Sequence, residues 1–206
     1  MGGARAVVFD VGHVLYDWDP RYLYEKLIDD PVRLDWFLAH VVTRDWHFQH
    51  DEGRAFADTS AELIAAFPDE ADLIRQWGPR FGETIPGPLP GMPEIVAALD
   101  AARVPLYAIT NFSAEFWAPF RRQEAALFDR FRDILVSGEA RLAKPDPAIF
   151  DLAIRRFGVD PGAALFIDDR ADNVAAAEAA GFIGHLFEGA EGLRAQLAEL
   201  GLVQPA

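Results

Sequence analysis

Short apolar runs, each followed by a segment of helical pattern, constrain this chain more than any other feature. Four of them, RAVVF at 5–9, VPLYAI at 104–109, RDILV at 132–136 and AALFI at 163–167, have the length and make-up of strands buried on both faces. A weaker fifth, FIGHLF, lies at 182–187. Helical patterns occupy roughly 91–102, 114–126, 146–157, 171–181 and 190–200. From residue 91 onward strand and helix therefore alternate, which predicts an α/β fold with a parallel sheet and helices on both faces.

Residues 16–90 break that alternation. They hold no convincing strand run, and in 56–67 Phe56, Ser60, Leu63, Ile64 and Phe67 share one helical face. The run IPGPLPGMP, at 85–93, is dense in proline and glycine and marks a boundary. The simplest architecture is an α/β core, 1–15 and 91–206, interrupted by a helical insert, 16–90. With 206 residues, 51% of them hydrophobic, a single core with an accessory unit fits best.

Composition narrows the chemistry. The absence of cysteine removes disulfides, thiol nucleophiles and cysteine-ligated zinc. A net charge of -14 repels polyanions, so nucleic acid is an unsuitable partner, whereas a small anion is admissible where positive charge or a cation is concentrated. No window approaches 18 consecutive apolar residues and no basic, apolar leader precedes the first strand, so a cytoplasmic chain with no membrane partner is expected.

Ligands of parallel α/β sheets bind at the carboxyl ends of the strands. Here those ends carry Asp10, then Thr110 and Asn111, then a stretch leading to Lys144, then Asp168 and Asp169. An aspartate nucleophile splits one displacement into two easier ones. Attack on an anionic phosphate requires that charge be offset, and Asp168 and Asp169 beside Asp10 offer the hard oxygen ligands that suit magnesium. Lys144, one of only two lysines with Lys26, would screen the carboxylates and hold the phosphoryl group, while Thr110 and Asn111 would donate hydrogen bonds to its oxygens. Each residue alone has a structural explanation in turns and caps; the set in this order points to phosphoryl transfer.

The order of Asp10, Thr110, Lys144 and Asp168-Asp169 resembles the four motifs of the haloacid dehalogenase superfamily, closest to its phosphatase-like branch with a helical cap after the first strand. The resemblance implies a Rossmann-like core with an inserted α-helical cap, and a phosphoaspartate formed on Asp10. It implies Mg2+ held by Asp10, the Gly12 carbonyl and Asp169, with Asp168 nearby, and it implies that Asn173 orients a neighbour. The substrate would be a small phosphorylated metabolite, a sugar phosphate among the candidates; oligomeric state is open.

One position departs from the pattern. Most phosphatases of the superfamily carry a second aspartate two residues after the nucleophile, as the acid and base of the reaction; this chain has Gly12. Three accounts follow: the leaving group departs unaided, His13 supplies the proton, or the reaction differs. A metal-independent 2-haloacid dehalogenase needs no proton for halide, although the Asp168-Asp169 pair opposes it. A phosphate-binding module without turnover is the remaining alternative. Within the insert, TRDWHFQH at 43–50 offers Trp46 and His47 to a substrate, and His13 is a further candidate contact. Asp51 and Gly53 are expected to make a turn before the next helix, and Ser113 to cap the helix from 114.

Overall fold

The structure, a computed structural model, describes residues 4–204; the outermost ends of the expected core, 1–3 and 205–206, lie outside the described residues. Five strands, β1 (Ala6–Phe9), β2 (Leu106–Thr110), β3 (Asp133–Val136), β4 (Ala164–Asp168) and β5 (Ile183–Leu186), form one sheet in the order β3-β2-β1-β4-β5, with every neighbouring pair parallel. All five expected apolar runs are strands, and their ends move by only a residue or two.

Strands β1, β2 and β4 are buried at every position, which is why they read as unbroken apolar runs. Their side chains alternate between two faces. Val7, Phe9, Leu106, Ala108, Leu165 and Ile167 join one apolar cluster, covered by the helices Met92–Ala101, Ala114–Gln123 and Ala190–Glu199. Ala6, Val8, Tyr107, Ile109, Ala164 and Phe166 join the other, beneath the helices Pro147–Phe157 and Ala171–Ala179. The chain runs outward from β1 to β3 on one side and resumes at β4 on the other. The order therefore reverses between β1 and β4, where a doubly wound sheet opens its crevice.

Between β1 and the helix Met92–Ala101 the chain is helical, with Arg21–Tyr24, Pro31–His40, Arg44–Asp51, Phe56–Ala66, Ala71–Ile74 and Trp77–Arg80 as its α-helical segments. Two of these start on side-chain caps: Asp30 accepts from the Val32 N–H at 2.9 Å, and Thr43 from the Trp46 N–H at 3.1 Å. The outgoing and returning strands of chain are tied together, Leu89 N–H to the Leu15 carbonyl at 2.9 Å and Asp19 N–H to the Thr84 carbonyl at 3.0 Å. Tyr24, Phe37, Trp46 and Trp77 belong to the same apolar cluster as Phe9 and Ile167 on the sheet. The helical segment thus packs as a continuation of one sheet face. Among the described residues no helix is long and apolar enough to cross a membrane.

Candidate active site

Register brings the strand ends together. Phe9 lies opposite Ile167 in β4 and Ala108 in β2, so the residues that follow emerge side by side at the crevice. Asp10 continues the pairing by donating its N–H to the Ile167 carbonyl at 2.8 Å. Lys144 comes from the loop beyond a one-turn helix, Ser137–Ala140, that follows β3. Asn111 clamps that loop in both directions: its Nδ2 donates to the Lys144 carbonyl and its Oδ1 accepts the Lys144 N–H, each at 2.9 Å. The amide expected to face a phosphate is therefore committed first to the main chain that aims the lysine.

The Lys144 ammonium, its side chain fully buried, lies 2.9 Å from Asp10 Oδ1 and 2.7 Å from Asp168 Oδ2. Burial alone would push this lysine down, but the charges of Asp10 and Asp168 and the hydrogen bonds to both outweigh it and hold it above its ordinary value. Asp168 also accepts from Asn173 Nδ2 at 2.9 Å and 3.1 Å and from the Arg170 N–H at 2.9 Å. All of this carboxylate's partners are protein donors, so it positions Lys144. The Arg170 side chain turns away to Asp172, 2.6 Å off.

Carboxylate oxygens of Asp10, Asp168 and Asp169 lie within 4.8 Å of one another. Desolvation raises Asp10, with Asp168 adding to it against the pull of Lys144; desolvation and Asp168 likewise raise Asp169. Three carboxylates beside one ammonium leave an excess of negative charge, and a divalent cation is the natural way to offset it. Hard oxygen donors suit magnesium, and two further oxygens support the fit to a cation and an anion: Asn173 Oδ1 and Thr110 Oγ1 are buried with no hydrogen-bond partner. Both Asp168 oxygens are engaged by Lys144, Asn173 and Arg170, whereas only Oδ1 of Asp10 is engaged, by Lys144 and the Val11 N–H, so Asp10 and Asp169, beside Gly12, are the carboxylates that could hold a cation.

A cavity of about 660 Å³ opens over these groups, floored by Asp10, Gly12, Lys144 and Asp169 and roofed by Arg44, His47, Phe48 and Asp51 of the helix Arg44–Asp51. Tyr16, Trp18, Phe81, Phe112 and Phe120 form much of its wall. His47 stacks on Trp18 at a centroid distance of 4.9 Å and on Phe81 at 5.8 Å, and burial, then His50, pushes it down to about 3, so it is a neutral ring in the wall. His13, at φ 57°, also lines the cavity, its ring 6.0 Å from that of Trp18.

Trp46 is a correction. It points into the helical core, where its indole N–H donates to the Thr59 carbonyl at 3.2 Å and its ring packs against Trp77. Phe48, two residues on, lines the cavity in its place. Ser113 stands at the N-terminus of the helix Ala114–Gln123 but makes no side-chain capping bond. The largest difference is Asp51. Gly53 does make the turn, at φ 95°, whereas Asp51 is the last residue of a helix, 5% exposed, on the cavity. Nothing local in the sequence marks it, because its surroundings come from segments far along the chain.

The family pattern of the haloacid dehalogenase-like hydrolases matches residues 4–181. The chain belongs to the haloacid dehalogenase-like hydrolases. Among curated members it is 23% identical to the sesquiterpene phosphatase of Aspergillus oryzae over 192 residues, 87% of this chain and 88% of that protein. It is 27% identical to the N-acetylmuramic acid 6-phosphate phosphatase of Pseudomonas aeruginosa over 169 residues, 80% and 73% of the two chains. Its fold is shared with a haloacid dehalogenase family enzyme of Bacteroides thetaiotaomicron solved with magnesium and inorganic phosphate, at a TM-score of 0.67, 19% identity, and coverage of 89% and 93%. Against this family's phosphatase motifs, the side chain missing at Gly12 is the departure that stands out.

Proposed function

We propose that this hydrolase is a magnesium-dependent phosphatase of a small phosphomonoester, working through a phosphoaspartate on Asp10. The observation that carries the reading is the charge pattern: three clustered carboxylates and one buried lysine repel an anionic substrate unless a cation is bound. The names of the two curated relatives, both phosphatases, support it.

In this reading Asp10, Asp169 and the Gly12 carbonyl hold the cation, with Asp168 behind them. When bound, magnesium supplies positive charge that keeps Asp10 ionised and neutralises the phosphoryl oxygens. Asp10 attacks phosphorus, the ester oxygen leaves, and water then cleaves the acyl phosphate. Lys144 fixes the orientation of Asp10 and balances charge on the phosphoryl group. The unpartnered Thr110 hydroxyl donates to one of its oxygens, and Asn111 keeps the lysine loop in register. Residues 16–90 act as a cap that excludes water from this chemistry. The organic part of the substrate lies against the aromatic wall, which suits either the ring of a sugar phosphate or a hydrocarbon.

Phosphate release from a panel of phosphomonoesters, with magnesium and with chelator, tests the reading. Turnover should require the metal and vanish in Asp10→Asn. Chloride release from 2-chloropropionate that survives chelation would instead establish the dehalogenase reading. Calorimetric binding of a sugar phosphate without any release would establish the binding module.

A further inference from the structure

With no side chain at position 12, a phosphatase of this build lacks its usual proton carrier. Most titratable groups around the cavity are unsuited to replace it. Tyr16 donates its hydroxyl proton to Glu124 at 2.8 Å, and burial raises it far out of range. His47 is held neutral and far too acidic as an imidazolium to carry a proton near neutrality. Asp45 is exposed. Lys144 is saturated by two carboxylates. His13 lines the cavity too, half-buried, with its ring edge-on to that of Trp18 at 6.0 Å and not left as an unpaired buried group.

Asp51 differs from all of these. It lines the cavity with Asp10, it is 5% exposed, and its Oδ1 is buried with no hydrogen-bond partner. The His47 Nε2 is 3.6 Å from its Oδ2, beyond hydrogen-bonding reach, and is uncharged. A buried carboxyl oxygen left unpaired is costly, and such a cost persists where a ligand completes the site.

The main chain that carries this carboxyl is also held firmly. The Ser137 hydroxyl donates to the Asp51 carbonyl at 2.6 Å and accepts from the Phe112 N–H at 3.0 Å. One hydroxyl thus joins the helix end to the loops after β2 and β3. Gly138 makes that approach feasible: a Cβ there would lie 2.6 Å from the Ala114 nitrogen, 2.8 Å from the Phe112 carbonyl oxygen and 3.2 Å from the His50 carbonyl oxygen.

We infer that Asp51, from the helical insert, is the general acid and base that Gly12 cannot be. The inference rests on the phosphatase reading above. As Asp10 forms its bond to phosphorus and the ester P–O bond breaks, the proton on the Asp51 carboxyl passes to the leaving oxygen, giving a neutral alcohol. In the second step the Asp51 carboxylate takes a proton from water as that oxygen bonds phosphorus. The P–O bond to Asp10 then breaks, releasing phosphate with Asp51 reprotonated. Burial, and after it the charge of Asp10, pushes Asp51 well above the usual carboxylate range, with the Ser113 N–H pulling the other way, so the protonated form needed at the start is favoured. The space at position 12 is vacant too: a Cβ there meets nothing within 4 Å.

The test compares 4-nitrobenzyl phosphate, whose alkoxide needs a proton, with 4-nitrophenyl phosphate, whose phenolate does not. In Asp51→Asn, kcat/KM for the benzyl ester should fall by about 100-fold or more, and for the phenyl ester by less than about tenfold. Gly12→Asp added to that variant should recover benzyl ester turnover. Asp51→Ser, read in the same way, serves if the asparagine variant does not fold. Equal losses on both esters, or no loss on either, would overturn the role of Asp51. A wild-type protein that hydrolyses neither ester would overturn the phosphatase reading itself, a result distinct from the first.

Discussion

Replacing Lys144 with methionine keeps most of the apolar stem of the side chain and deletes the ammonium with its charge and donors. In the native site the ammonium touches Asp10 at 2.9 Å and Asp168 at 2.7 Å. Asp168 is completely buried and retains only Asn173 and the Arg170 N–H once the lysine is gone. Removing one partner of a buried ion pair leaves the other uncompensated and costs about 3–5 kcal/mol. For a chain of this size that corresponds to a fall in Tm of roughly 6–20 °C. The assay is urea and thermal unfolding followed by circular dichroism, in chelator so that no cation substitutes for the lysine. The sign of the pH dependence is fixed as well. Burial already raises Asp10 against the pull of Lys144, so without the lysine Asp10 holds its proton more tightly still in the folded state, which then binds more protons than the unfolded one. Stability of the variant relative to wild type then drops as pH rises from about 4 through the raised folded value of Asp10. Adding Asp168→Asn should return part of the loss, because the charge left stranded is removed. A deficit below about 1 kcal/mol, or one unaffected by Asp168→Asn, would refute the claim that this lysine compensates two buried carboxylates.

Two further outcomes follow from the same geometry. Magnesium at 100 times its dissociation constant should stabilise the wild-type protein by about 2.7 kcal/mol, roughly 5–11 °C in Tm, and Asp169→Ala should abolish most of that shift in a thermal melt. Gly138→Ala forces a methyl against two backbone atoms at 2.6 Å and 2.8 Å, so it should cost about 1–3 kcal/mol by denaturant titration, and a neutral result would mean the insert docks more loosely than described.

The legible part of this fold was carried by strands buried on both faces, such as VVF before Asp10 and LFI before Asp168, whose unbroken apolar character marks a covered parallel sheet. The same strands made the chemistry readable, because a residue at a parallel strand end has one place to go. Pairs of neighbours were harder. Asp168 and Asp169 look equivalent in sequence, yet successive residues leaving a strand face opposite ways, so one locks Lys144 and the other reaches the cavity. Trp46 and Phe48 pose the same problem on a helix, where two positions separate core from cavity. Asp51 was out of reach altogether. Asp-Glu-Gly reads locally as a turn, and only Ser137, 86 positions later, shows that the helix end is buried at the crevice.

That last contact bears on how the site is completed. A proton carrier two residues from the nucleophile would be positioned by β1 alone, whatever the insert does. Asp51 instead reaches the cavity only through the helix Arg44–Asp51, and the helix is keyed to the sheet by the Ser137 hydroxyl and the missing Cβ of Gly138. In the proposed mechanism, water exclusion and proton supply depend on the same docked surface. Loosening that surface should therefore damage turnover of poor leaving groups beyond what the loss of stability explains. At a temperature where Gly138→Ala is still fully folded, hydrolysis of the benzyl ester should be impaired more than that of the phenyl ester. Impairment of both esters to the same degree would separate docking from proton transfer and leave Ser137 and Gly138 as packing alone.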